Sequence, residues 1–100
     1  MRILFLGDVV GQTGCYAIKQ NLQKIIKENN IDFTIVNGEN AANEGVGITQ
    51  NIVDEFLSCG VDIVTSGNHI WDQKETFEVF KTKQDYFRPL NMDKNFTWSW

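Results

Sequence analysis

Three short apolar runs, each followed by a segment with helical periodicity, limit what this 100-residue chain can fold into. The runs are residues 3–6 (ILFL), 33–36 (FTIV) and 61–64 (VDIV). Runs that are almost continuously apolar are typical of parallel strands with both faces covered, and parallel strands need long crossovers, usually helices. The sequence therefore predicts an α/β fold, a parallel sheet with alternating helices.

The segments that follow the runs repeat apolar residues at intervals of three and four, as amphipathic helices do. The first helix is expected to end near Asn29, and the second to begin after the N-cap Thr49 and to end at Gly60. A third is expected to open with a capping box at Asp72. The apolar positions of the first two helices are Ile18, Leu22, Ile25 and Ile26, and then Ile52, Val53, Phe56 and Leu57.

The rest of the chain adds little regular structure. No linker or repeat divides it, so residues 1–100 are expected to form a single domain. Residues 92–100 (MDKNFTWSW) have neither a helical nor a strand period, and we expect an irregular tail there.

Composition excludes several classes of function. The formal net charge is −4, which disfavours coating duplex nucleic acid, because that binding depends on Lys and Arg neutralising phosphates. No apolar run approaches the roughly 18 residues needed to cross a bilayer, and the opening run is too short for a secretory signal. Cys15 and Cys59 are isolated in sequence, which indicates reduced thiols and a cytoplasmic protein.

Polar residues follow each predicted strand at the point where the strand ends. Asp8 comes after the first run, Glu39 and Asn40 after the second, and Asn68 and His69 after the third. Ligands of open α/β sheets bind outside the carboxyl ends of the strands. We therefore expect these five side chains to meet at one edge of the sheet.

The chemistry of this set favours a metal site. Two carboxylates, two amides and an imidazole suit a divalent Mn, Fe, Mg or Zn ion. Asp8 and Glu39 would repel each other without a cation between them. A carboxylate that bridged two ions would position a hydroxide for attack on phosphorus, and His69 beside it could act as general acid.

Each of these residues also has a purely structural interpretation. Asp8 could be a turn former, Asn40 and Asn68 are common turn residues, and a lone histidine such as His69 is more often exposed than catalytic. A competing hypothesis places a phosphate at the first helix, behind the glycines of residues 7–14 (GDVVGQTG), although their spacing matches neither nucleotide-binding glycine motif. The joint placement at three strand ends favours the metal site.

Three stretches of the sequence resemble a known family: MRILFLGDVVGQTG (residues 1–14), DFTIVNGENAANEGVGIT (32–49) and GVDIVTSGNHIWD (60–72). Together they are similar to the YmdB-like branch of the calcineurin-like metallophosphoesterases, bacterial 2',3'-cyclic-nucleotide phosphodiesterases. The resemblance runs from residue 1 to about 91. It implies one half of an αββα sandwich and two divalent metal ions, usually iron or manganese, with magnesium or zinc as alternatives.

The resemblance also implies a role for each of the five residues. Asp8 and Asn40 resemble ligands of the first metal ion, and Glu39 resembles the carboxylate that bridges both ions. Asn68 resembles a ligand of the second ion, and His69 resembles the proton donor. The substrate implied is a cyclic nucleotide or a related small phosphodiester.

One departure from the family is plain. Family members are more than twice as long and supply further histidine ligands from their later half, whereas this chain has no histidine after His69. We therefore expect the N-terminal part of such an enzyme, with weak metal binding, little or no activity alone, an uncovered sheet face and self-association as a homo-oligomer. The alternatives are a catalytically inactive α/β binding module that keeps the fold and, as a weaker one, a flavodoxin-like or Rossmann-like nucleotide binder.

Overall fold

The computed structural model describes residues 1–43, 45 and 47–67, together with the backbone of the short strand at 86–87. In these residues the chain forms one parallel sheet with the strand order β1-β2-β3-β4. The predicted α/β fold is confirmed. The elements are β1 (Ile3–Leu6), α1 (Gly11–Asn29), β2 (Phe33–Asn37), α2 (Gln50–Ser58), β3 (Ile63–Thr65) and β4 (Tyr86–Phe87).

Capping residues mark the end of α1 and the beginning of α2. Helix α1 stops at Asn29, and Asn30 behind it adopts the left-handed conformation while its N–H bonds to the carbonyl of Ile26. The Thr49 side chain accepts a hydrogen bond from the backbone N–H of Ile52, so the predicted N-cap of α2 is confirmed. Helix α2 ends at Ser58, two residues before the predicted end at Gly60.

The third strand lies later in the chain than predicted, because Asp62 is not part of it. The Asp62 carboxylate accepts the backbone N–H of Thr34 at 2.8 Å, and the Asp62 N–H donates to the carbonyl of Thr34 at 2.9 Å. The side chain thus takes the place of a strand carbonyl, and β3 begins only at Ile63. Strand β4 was not predicted at all, because two residues carry too little periodicity to be recognised.

Both helices pack against the same face of the sheet. With the strands in sequential order, right-handed crossovers carry α1 and α2 to one side. The core there joins Val36 and Val64 of the sheet to Leu22 of α1 and to Val53 and Phe56 of α2, all essentially without solvent contact. No helix in the described part of the chain is long and apolar enough to cross a membrane.

The opposite face of the sheet is largely open at its β1 edge. Ile3 and Phe5 are 57% and 60% exposed, although they alternate with Leu4 and Leu6, which are partly buried against the core. The prediction of a sheet covered on both faces is therefore wrong for β1, whereas the expectation of an uncovered face is confirmed there.

The two cysteines behave as small core residues. Both are reduced, and the Cys15 thiol donates to the carbonyl of Ala41 while the Cys59 thiol donates to that of Phe56, each at 3.3 Å. Burial raises the pKa of both thiols above the ordinary value of 9.0. The thiols therefore stay neutral at physiological pH.

Replacing Asp62 by Ala should cost about 1–3 kcal/mol of unfolding free energy, because it leaves the buried N–H of Thr34 without a partner. Urea denaturation measures the loss. Asp32→Ala is the matched control, since Asp32 accepts the exposed N–H of Arg2 in the same way before β2. Equal losses in the two variants would contradict the role assigned to Asp62.

Ellman's reagent at pH 8 should label both cysteines far more slowly in the native protein than in urea, because only the exposed thiolate reacts. Raising the pH from 8 to 9 should leave the native rate low, since the folded thiols titrate above 9.0. Rapid native labelling of either thiol would show that it is not buried as described.

Candidate metal centre

The carboxyl ends of β1, β2 and β3 meet at one edge of the sheet. Leu6 pairs with Val36, and Asn37 pairs with Thr65, as the last pairs of their ladders. Three backbone hydrogen bonds join those loops and strand ends: Val9 N–H to Asn37 O (3.3 Å), Gly11 N–H to Asn40 O (2.9 Å) and Gly38 N–H to Thr65 O (2.9 Å).

Two of the predicted site residues are in direct contact at this edge. The Asn40 side chain donates through Nδ2 to Asp8 Oδ2 at 2.9 Å, across 32 residues of sequence. The other atom of the same amide, Oδ1, is buried and has no hydrogen-bond partner. The amide thus uses its donor on Asp8 and keeps its acceptor unpaired.

An unpaired, buried amide oxygen fits a bound cation. Leaving such an acceptor without a partner costs about 1–3 kcal/mol in a protein interior. Hard divalent cations bind carboxylate and amide oxygens, and the Asp8–Asn40 pair offers both next to each other. Within the described residues, no three His, Cys, Asp or Glu side chains come together as a group that could hold a metal ion.

Glu39 reaches from the end of β2 to the end of β3. Its carboxylate lies against the α-carbon of Gly67, in the space that the side chain of any other residue would fill. Gly67 directly precedes Asn68 in the sequence. The third strand end is therefore shaped to receive the Glu39 carboxylate.

The loop that carries Glu39 and Asn40 is anchored in the core. Gly38 is buried, and a methyl group there would come within 2.9 Å of both Ile48 and Val64. Ala41 and Ile48 of the same loop are without solvent contact. Core packing on both sides of Glu39 and Asn40 fixes where these two side chains can lie.

The glycine-rich loop before α1 is a poor phosphate cradle. Gly11 opens the helix, and its N–H is already bonded to the carbonyl of Asn40. Val10, the N-cap residue, offers no side-chain hydrogen bond. The first turn of α1 therefore serves to tie the two loops together, which weighs against the nucleotide-binding alternative.

The structure places three of the five predicted residues, Asp8, Glu39 and Asn40, on neighbouring loops at one sheet edge. Asn68 and His69 lie outside the described residues, and their positions and roles stay predictions. Sequence reasoning missed two features of this edge. It gives no role to Gly67, whose missing side chain makes room for Glu39, and none to Asn37, whose Oδ1 is buried and unpaired.

A parallel α/β sheet with carboxylate and amide oxygens gathered at its carboxyl edge is the architecture that the resemblance to the metallophosphoesterases implies. The family model described as YmdB-like protein matches residues 4–97. The chain therefore belongs to the YmdB-like protein family.

The relatives agree with this assignment. A Bacillus subtilis (strain 168) protein named 2',3'-cyclic-nucleotide 2'-phosphodiesterase is 44% identical over 91 residues, which is 91% of this chain and 34% of that protein. The crystal structure of a phosphatase from Mycoplasma pneumoniae has a TM-score of 0.85 and 39% identity, over 95% of this chain and 34% of that one.

A second solved structure, of a "hypothetical protein" from Thermus thermophilus, has a TM-score of 0.83 and 38% identity. It is matched over 94% of this chain and 36% of that one. The chain thus spans about a third of the length of the relatives it matches.

Gly67→Ala should lower the unfolding free energy by about 1–3 kcal/mol, because the added methyl group overlaps the Glu39 carboxylate. Shortening the acid should relieve this overlap. In a double-mutant cycle, the loss caused by Gly67→Ala should be smaller in a Glu39→Asp background. Additive losses would contradict the contact between Glu39 and Gly67.

Proposed function

We propose that this chain carries the N-terminal part of a metal-dependent phosphodiesterase site that acts on a cyclic nucleotide or a similarly small phosphodiester. The observation that carries the proposal is the Asn40 amide, which donates to Asp8 and leaves a buried oxygen free for a cation. Membership of the YmdB-like family and the names of its relatives support the reaction class.

In this proposal, the residues of the sheet edge hold two divalent ions, iron or manganese. Asp8 and Asn40 would bind the first ion, Asn68 the second, and Glu39 would lie between them. The ions, when bound, would offset the charge of the phosphoryl oxygens and make hydroxide available near neutral pH.

The chain's own residues would hold the carboxylates in position and supply the proton. Asp8 accepts a hydrogen bond from Asn40, and the Glu39 carboxylate fits the space beside Gly67, so both carboxylates would keep their positions when a substrate enters. His69 would donate a proton to the alkoxide oxygen that leaves phosphorus when the phosphodiester bond breaks. A histidine with an ordinary pKa of about 6.5 suits that role.

The length of the relatives affects how much activity we expect from this chain. Because the chain spans about a third of their length, we expect weak metal binding and little or no turnover from these 100 residues alone. A cytoplasmic location and the absence of duplex nucleic acid and membrane partners stay predictions.

Equilibrium dialysis against Mn²⁺ should reveal binding to the wild-type chain that Asp8→Asn and Glu39→Gln each weaken by about tenfold or more, since one charged ligand is lost. Glu28→Gln on α1 is the control for the change in net charge, and it should bind as the wild type does. Hydrolysis of 2',3'-cyclic AMP is followed in the same samples, and any turnover should fall in step with bound metal. Equal Mn²⁺ binding by all four proteins would contradict the proposed site.

The open sheet face favours a second candidate, an α/β binding module. Ile3 and Phe5 form an exposed apolar surface on β1, of the kind that marks association. This surface supports the expected homo-oligomer whether or not the metal site is active.

Phe5→Glu should abolish self-association of the chain, because a carboxylate on this surface would have to be desolvated on contact. Sedimentation velocity over a range of concentrations measures the effect. Tyr16→Glu, at another exposed aromatic residue, on α1, is the control and should leave association unchanged. Loss of association in both variants would argue against the β1 surface.

A further inference from the structure

Asn37 is the last residue of β2 and lies on the open face of the sheet. Its neighbours along the strand alternate between the two faces, with Val36 in the core and Ile35 on the open side. Its cross-strand partner on one side is Thr65. On the other side lies Gly7, where an added Cβ would be 3.5 Å from the Asn37 Cβ.

The Asn37 side chain has a buried acceptor with no partner. Within the described residues, only two buried side-chain nitrogen or oxygen atoms lack a hydrogen bond, and they are the Oδ1 atoms of Asn37 and Asn40. Both belong to the same short segment at the end of β2. Because each unpaired acceptor costs about 1–3 kcal/mol, two of them in one place indicate that something bound there completes them.

The backbone hydrogen bonds at position 37 do not require an asparagine side chain. Asn37 bonds through its main-chain carbonyl to the N–H of Val9, so its side chain is not needed to join the loops. On the side of β1 its neighbour is Gly7, and both the Asn37 Cβ and the ring of Phe5 lie close to the position that a Cβ at Gly7 would take. Within the described residues, neither the backbone nor these neighbours supply a partner for the Asn37 Oδ1.

The residues near Asn37 determine whether a bound group must donate or accept a hydrogen bond there. Asn37 lies two residues before Glu39, and Gly7, its neighbour on the side of β1, directly precedes Asp8. An amide oxygen is an acceptor and needs a hydrogen-bond donor, which a carboxylate does not offer. Because no group in the described residues donates to it, a bound molecule is the candidate donor.

We propose that Asn37 is a further residue of this site, and that its Oδ1 accepts a hydrogen bond from an O–H group held there, either a water of the cation's hydration or a hydroxyl of the substrate. This inference rests on the proposed function. It assigns Asn37 a positioning role in addition to the predicted ligands, and it explains the second unpaired oxygen.

Two substitutions of nearly the same shape test the proposal on the 100-residue chain. Asn37→Leu removes the unpaired buried acceptor. The unfolding free energy without metal should therefore be unchanged or higher. Asn37→Asp keeps the acceptor and adds a charge, so the stability without metal should fall through repulsion with Asp8 and Glu39. The matched controls are Asn21→Leu and Asn21→Asp on the exposed side of α1.

The decisive readout is the Mn²⁺-dependent change in melting temperature, measured with Mn²⁺ alone and with Mn²⁺ plus 2'-AMP. Asn37→Asp should bind Mn²⁺ about tenfold more tightly than the wild type, because a carboxylate replaces the amide near the cation. Asn37→Leu should lose part of the Mn²⁺ response if the donor is water, and part of the added 2'-AMP response if the donor is a substrate hydroxyl. Either loss supports the proposal.

Two other outcomes would overturn it. If both Asn37 variants change only the stability without metal, and their responses to Mn²⁺ and to 2'-AMP equal those of the Asn21 controls, Asn37 is structural. The metal site then still stands, provided that Asp8→Asn abolishes the Mn²⁺ response. If the wild type itself shows no Mn²⁺ response, the proposed function and this inference both fail.

Discussion

The in-register parallel pairing of β1, β2 and β3 is the constraint on which everything else in this molecule depends. It brings three strand ends to one edge, although those ends are about 30 residues apart in sequence. Once they are there, backbone hydrogen bonds from Val9, Gly11 and Gly38 lock the loops together. The sheet therefore brings Asp8 and Asn40 within hydrogen-bond distance of each other. No sequence motif is needed for this contact beyond the two residues themselves.

Two glycines at this edge of the sheet allow their neighbours to pack closely. Gly38 lets the end of β2 settle against Ile48 and Val64, and Gly67 leaves space for the Glu39 carboxylate. In the sequence, Gly38 directly precedes Glu39, and Gly67 directly precedes Asn68. The Glu39 carboxylate can reach the end of β3 because Gly67 has no side chain.

Much of the fold could be predicted from the sequence, because apolar runs and helical periods reflect burial directly. The strand limits could not, since Asp62 substitutes its side chain for a strand carbonyl and displaces the start of β3 to Ile63. The site was predicted as a set of residue types at strand ends. The unpaired oxygens of Asn37 and Asn40 depend on side-chain rotation and on neighbours distant in sequence, which no spacing rule encodes.

We propose that oxygens of Asp8, Glu39 and Asn40 hold a divalent cation at the carboxyl edge of the sheet. Anomalous scattering from a crystal of this chain grown with Mn²⁺ measures this most directly. A bound Mn²⁺ ion should give an anomalous peak within about 2.6 Å of carboxylate or amide oxygens of these residues. Mn²⁺ peaks found only elsewhere on the surface, with the Asn40 oxygen still unpaired, would contradict it.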